Sequence, residues 1–231
     1  MSIRFRSWLL AFCSLSMFIP AAPPGFADED GKNTIRLSVA HFEPMGDTYT
    51  WLNPHGDIPG ATSRIEITPE HSPGWSVEYE RRLGGRWGIV VSLANTETEM
   101  DIRHSLALQH PPHYRGDLNM VPLTFSPLFH LTENRALDLY CGPLLGYVFF
   151  GDLETEDFGQ GADSFAVKDD WTIGAMVGLD VMLGRTNWLL TTSVSYLDIS
   201  SDLDEPFRDL DTNTIIDIDP VFFRIGLGYK F

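Results

Sequence analysis

The sequence predicts an all-β fold, an eight-stranded antiparallel transmembrane β-barrel of the outer-membrane type, and three observations carry that prediction. The last nine residues alternate strictly: Phe223, Ile225, Leu227, Tyr229 and Phe231 are apolar, while Arg224, Gly226, Gly228 and Lys230 are charged or small. One face of that strand is therefore apolar and the other is not, and a chain in water rarely ends on an unshielded aromatic. The first residues read as a cleaved export signal: Arg4 and Arg6 precede an apolar stretch from Trp8 to Phe18, and the small-x-small site Gly25-Phe26-Ala27 precedes the acidic Asp28-Glu29-Asp30. Between these ends, eight segments alternate over about nine to eleven residues or more, the length a tilted strand needs to cross hydrocarbon.

Residues 1–27 form the signal and residues 28–231 a single barrel. Of the two cysteines only Cys141 lies beyond the signal, so no intramolecular disulfide is possible. The net charge of −16 argues against nucleic acid as a partner, since phosphates would be repelled. A mean hydropathy of −0.07 resembles that of a soluble protein, but spreading apolar residues along alternating strands gives the same value.

The segments lie near Thr34 to Phe42, Gly74 to Leu83, Arg86 to Asn95, Leu118 to Leu131, Ala136 to Phe150, Trp171 to Leu183, Trp188 to Asp198 and Ile215 to Phe231. Gly84-Gly85, Thr132 to Arg135 and Gly184 to Asn187 read as tight turns. Long polar connectors run from Glu43 to Pro73, Thr96 to Asp117, Gly151 to Asp170 and Ile199 to Thr214. Long and short connections alternate, which places all long loops on one rim of an antiparallel barrel.

Parity assigns the faces. With Phe231 toward lipid, the lipid face carries Ile35, Leu37 and Val39 on the first segment, Val77 and Tyr79 on the second, and Ile225, Leu227 and Tyr229 on the last. The ionisable Arg36, Glu78, Glu80, Asp138, Asp180 and Arg224 all take the opposite parity. A charge at the bilayer midplane on the lipid face of a barrel costs about 2–4 kcal/mol, which gives this sorting its reason. Trp75, Trp87, Trp171, Trp188 and Tyr229 fall near segment ends, where an aromatic girdle sits.

The inward set divides along the axis. Toward the short-turn rim Arg36, Glu78, Glu80, Asp138, Asp180, Arg224 and Lys230 mix both signs and can pair as an ionic plug. Toward the long-loop rim Phe42, Met120, Leu144, Val148, Phe150, Met176, Leu197 and Phe222 make an apolar cup, expected to open outward as a ligand site. Eight strands enclose a lumen that side chains nearly fill, which excludes a general aqueous porin. Phe231 and Tyr229 act as the assembly signal.

Other constellations carry less. The carboxylates Asp202, Asp204, Glu205, Asp209 and Asp211 read as a solvated acidic loop, without the spacing of a calcium-binding loop. His110-Pro111-Pro112-His113 reads as loop stiffening, since no third metal ligand accompanies it. His130 with Ser126, and His41 and His104 with Ser38 and Ser105, reproduce no hydrolase signature. The sequence predicts no enzyme, no metal and no cofactor.

Val167-Lys168-Asp169-Asp170-Trp171 entering the sixth segment, Ser195-Tyr196-Leu197-Asp198-Ile199 closing the seventh and Ile218-Asp219-Pro220-Val221-Phe222-Phe223 opening the eighth resemble the OmpW family of eight-stranded outer-membrane proteins. Tyr140 to Tyr147 is similar to the glycine-spaced fifth strand of that family. The resemblance covers nearly the whole chain after the signal. It implies a porin-like channel in the outer membrane of a Gram-negative bacterium, with a narrow hydrophobic lumen that passes small apolar compounds. The partners then expected are outer-membrane lipid and lipopolysaccharide, the barrel-assembly machinery and a small hydrophobic solute. The other class open to the sequence is a structural or adhesive barrel that presents acidic loops as a phage or colicin receptor, without transport.

Overall fold

A computed structural model describes residues 33–45, 49–53, 63–105, 113–132, 136–156, 163–203 and 214–231. The export signal expected at residues 1–27, His110-Pro111-Pro112 and the run 204–213 lie outside the described residues. The strands are β1 (Asn33–Pro44), β2 (Tyr49–Asn53), β3 (Ser63–Pro69), β4 (Ser72–Gly84), β5 (Trp87–Ser105), β6 (His113–His130) and β7 (Leu137–Phe150). They continue as β8 (Asp152–Glu156), β9 (Asp163–Ala166), β10 (Asp170–Met182), β11 (Trp188–Asp198), β12 (Ser200–Leu203), β13 (Thr214–Asp217) and β14 (Pro220–Lys230).

Eight of them close a barrel in the order β1, β4, β5, β6, β7, β10, β11, β14 and back to β1, every pair antiparallel. The closing seam runs from Thr34↔Lys230 to Pro44↔Pro220. Beyond it the Asn33 amide donates to the Phe231 carbonyl at 3.0 Å and the Phe231 amide to the Asn33 carbonyl at 2.8 Å. The terminal aromatic is thus laddered, not frayed. On the short-turn rim Gly84 (φ 126°), Gly85 (φ 56°) and Gly184 (φ 68°) take left-handed conformations that side-chain-bearing residues resist.

The outward face is apolar at depth. Leu37, Val39, Trp171 and Ile173 are 62, 65, 66 and 61% exposed, an arrangement stable only against lipid. Aromatic pairs sit at both ends of this band: Tyr147 against Trp171 at 5.3 Å toward the loops, and Trp188 against Tyr229 at 5.2 Å and Trp87 against Phe129 at 5.1 Å toward the turns.

Three expectations from the sequence are corrected on the loop side. The stretch from Thr96 to Asp117 is largely strand: β5 and β6 continue past the apolar band with the same parity, Thr96, Thr98 and Met100 buried and Glu97 and Arg103 exposed. The other long connectors carry strands too. β2 and β3 pair onto the flank of β5, β8 and β9 onto β6, and β12 pairs with β13. A sheet of order β2-β3-β5-β6-β8-β9 therefore stands above the barrel wall. Finally, the eighth segment is not continuous from Ile215: β13 ends at Asp217, Asp219 takes φ 39°, and Pro220 starts a new strand. Lacking an N–H, proline suits a strand's first position.

Candidate functional site

Register brings the inward ionisable residues together. Arg36 lies opposite Glu78 and Thr34 opposite Glu80 across β1 and β4, and Asp180 lies opposite Asp138 across β10 and β7. Arg36 donates through Nη2 to Glu80 Oε2 at 2.5 Å and to Asp180 Oδ2 at 2.7 Å, and through Nε to both Asp180 oxygens at 3.2 Å. All three side chains are 1% exposed. Arg82 donates to Glu80 Oε1 at 3.1 Å and also to Asp138. His130 bonds Asp138 through Nδ1 at 2.9 Å and lies 3.1 Å from Glu80 through Nε2. Lys230 Nζ stands 3.9 Å from Asp138. Arg224 donates to the Ser195 hydroxyl at 2.9 Å.

Five basic side chains, Arg36, Arg82, Arg224, Lys230 and His130, the last facing Asp138 and Glu80 with its two ring nitrogens, thus stand among four carboxylates, Glu78, Glu80, Asp138 and Asp180. Isolated buried charges cost many kcal/mol, so charges persist at this depth only in the company of opposite ones. Arg82, His130 and Tyr140 were absent from the expected plug. Each has the even number that points inward on its strand, and extending the parity rule to every polar residue would have found them. The Tyr140 ring lies 5.0 Å from the Arg36 guanidinium and also belongs to the apolar cluster, joining the plug to the layer above.

The other half is apolar. Phe42, Met120, Leu144, Val148, Met176, Leu197 and Phe222 are all between 0 and 6% exposed and belong to one cluster, with Phe150 packed against it. Phe42 and Phe222 meet edge to face at 5.6 Å. Loop-side residues Ile67, Met100, Leu118, Leu153, Ile199 and Ile218 extend the same cluster. The apolar half is consequently a packed, covered core and not the open cup expected from parity, because the extended sheets bring further apolar side chains over it.

Where the halves meet, polar atoms lack partners. Arg36 Nη1, Ser76 Oγ, Glu78 Oε1 and Arg224 Nε make no hydrogen bond among the described residues. Glu78 stands 4.0 Å from Arg36 Nη1 and 4.0 Å from Arg224 Nη1, too far for a bond.

The wall has a weak sector that the sequence reading did not single out, although proline inside a central strand is a readable signal. Between Phe125↔Leu145 and Phe129↔Cys141 the β6–β7 ladder lapses, and Pro127 and Pro143 occupy corresponding positions there. The Pro127 carbonyl points at β7, since a Cβ on Gly142 would fall 2.2 Å from it. This is therefore a pair that would normally exchange two N–H···O bonds and has neither donor. On the other flank of β6 the ladder to β5 lapses between Leu93↔Leu123 and Thr96↔Met120, around Pro122.

The remaining candidates stay apart from this geometry. The Ser126 hydroxyl donates to the Pro127 carbonyl at 3.3 Å, while His130 is engaged with carboxylates. Among the described residues no group of three or more His, Cys, Asp or Glu is arranged to hold a metal ion, and no helix is long and apolar enough to cross a membrane.

A model of the OmpW family matches residues 54–231. The sequence is 24% identical over 226 residues to Outer membrane protein W of Vibrio cholerae serotype O1, an overlap spanning 95% of this chain and 98% of that protein. It is 30% identical over 117 residues to Outer membrane protein AlkL of Ectopseudomonas oleovorans, covering 50% of this chain and 48% of the other. The crystal structure of the outer membrane protein OprG from Pseudomonas aeruginosa superposes with a TM-score of 0.68 at 21% identity, over 88% of this chain and 97% of that one. At that identity the likeness establishes the fold.

Proposed function

Because the chain belongs to the OmpW family of Gram-negative outer-membrane barrels, we propose that it takes up small hydrophobic molecules into the apolar half of its lumen and releases them sideways into the bilayer. The observation that carries this reading is the division of the lumen. Seven buried apolar side chains offer a solute the transfer gain of about 25 cal/mol per Å² of apolar surface removed from water. The ionic plug beneath opposes straight passage, because its charges would lose their partners if a solute parted them. The exit that fits lies beside Leu144, where Pro127 and Pro143 leave β6 and β7 unbonded. Entry displaces packed side chains, and Met120 and Met176 are suited to this by their flexible, unbranched chains. Bilayer lipid receives the solute, and lipopolysaccharide surrounds the loop side.

Flux of a hydrophobic solute into vesicles carrying the parent barrel, Met176→Arg or Leu144→Arg tests the proposal. Both variants should lose uptake, and equal flux in all three would refute it. A second reading, a surface receptor or adhesin, draws on the sheet β2-β3-β5-β6-β8-β9, whose exposed Glu97, Asp117 and Glu154 stand above the apolar band. Shortening those strands should abolish adhesion or phage attachment and leave lumen-dependent flux intact.

A further inference from the structure

Resting on the uptake reading, we infer that the floor of the apolar half recognises a neutral hydroxyl at the end of an apolar chain. The preferred solute is then a medium-chain primary alcohol, over an alkane or a fatty acid. The floor consists of Arg36, Ser76, Glu78 and Arg224, which are 1, 0, 2 and 6% exposed. Each presents an atom without a hydrogen-bond partner among the described residues: two guanidinium N–H groups, a hydroxyl and a carboxylate oxygen. Buried donors and acceptors left unmade are costly, so this place selects a group that both donates and accepts.

Geometry puts the floor at the end of the apolar half. The Arg224 guanidinium lies 5.2 Å from the Phe222 ring, which packs on Phe42. Tyr140 belongs to the apolar cluster by its ring, yet holds that ring against Arg36. A chain lying among Phe222, Met176 and Leu144 therefore ends among these four polar side chains.

Charge decides the kind of head group. A carboxylate head would stand against Glu78, whose Oε1 already lacks a bond, and an ammonium head against the guanidinium groups of Arg36 and Arg224. A hydroxyl adds no charge against either: it donates to Glu78 Oε1 and accepts from Arg224 Nε or Ser76. Water can make the same bonds, and it is the competitor the alcohol must displace.

The test is titration of the folded, isotope-labelled barrel in detergent micelles with 1-octanol, octanoate and octane, read by NMR. Met120 and Met176 methyl signals should respond to both 1-octanol and octane, whereas the Arg224 Nε–H signal should respond to 1-octanol alone. Ser76→Ala, which removes one hydrogen bond, should weaken 1-octanol binding by roughly three- to tenfold and leave octane unchanged. Glu78→Gln removes the carboxylate that opposes an acid head beside two guanidinium groups and should make octanoate the preferred ligand. An Arg224 signal indifferent to 1-octanol while the methyls respond, or unaltered 1-octanol affinity in Ser76→Ala, would mean that the floor holds water only and would overturn the inference. An unreversed preference in a folded Glu78→Gln barrel would overturn its charge argument. Methyl signals that ignore all three solutes would overturn the uptake reading itself.

Discussion

Replacing Arg36 by methionine should destabilise the barrel by about 3–5 kcal/mol, the cost of removing one partner from a buried ion pair. The magnitude rests on which carboxylate is stranded. Glu80 keeps Arg82 at 3.1 Å and His130 at 3.1 Å when Arg36 is gone. Asp180 is bonded by Arg36 at 2.7 and 3.2 Å and is 1% exposed; it becomes a lone charge in the lumen wall. The loss should therefore trace mainly to Asp180, and the double variant Arg36→Met/Asp180→Leu should recover half or more of it, since exchanging a whole buried pair for apolar groups is often neutral. Urea titrations of the folded barrel in lipid vesicles, followed by tryptophan fluorescence, measure all three proteins. A single-variant loss below about 1 kcal/mol, or a double variant no more stable than the single, would refute the claim that Arg36 organises the plug.

Restoring donors to the weak sector with Pro127→Val/Pro143→Val should raise thermal stability and slow solute release; unchanged flux into vesicles would remove β6–β7 as the exit. Gly178→Ala should cost about 1–3 kcal/mol through overpacking, because the added Cβ would sit 2.3 Å from the Tyr140 ring; calorimetry that finds the variant as stable as the parent would show that the ring can move. Deleting Phe231 removes both backbone bonds to Asn33 and should lower the amount of assembled barrel, seen as less of the fast-migrating unheated band on a gel, with undiminished levels counting against its part in assembly.

Much of this was legible because one rule governs the barrel. Once Phe231 is placed toward lipid, period 2 sends Arg36, Glu78, Glu80, Asp138, Asp180 and Arg224 inward, and side-chain direction in a strand does not depend on context. Strand extent was less legible. Glu97, Glu99 and Asp117 look like loop residues when apolar alternation is the signal, yet above the bilayer the outward face meets water and acidic residues belong there. The partnerships were not legible at all: that Arg36 of the first strand would bond Asp180 of the tenth depends on barrel register, which no local pattern encodes. The lapsed rungs likewise require Pro127 and Pro143 to meet across β6 and β7: either proline alone marks a weakened strand, but their pairing is set by register.

The seam between β1 and β14 has a kinetic consequence. It joins the first described strand to the last, so the barrel's most non-local contacts are also the ones that complete it, and contacts of that kind form slowly. Until they form, β1 and β14 are both open edges with unpaired backbone donors and acceptors, able to template pairing with any other strand. The interval between arrival at the membrane and sealing of that seam is when this chain is most exposed to misassembly. A factor that shortens the interval must hold these two strands rather than the hairpins between them, which can pair locally on their own.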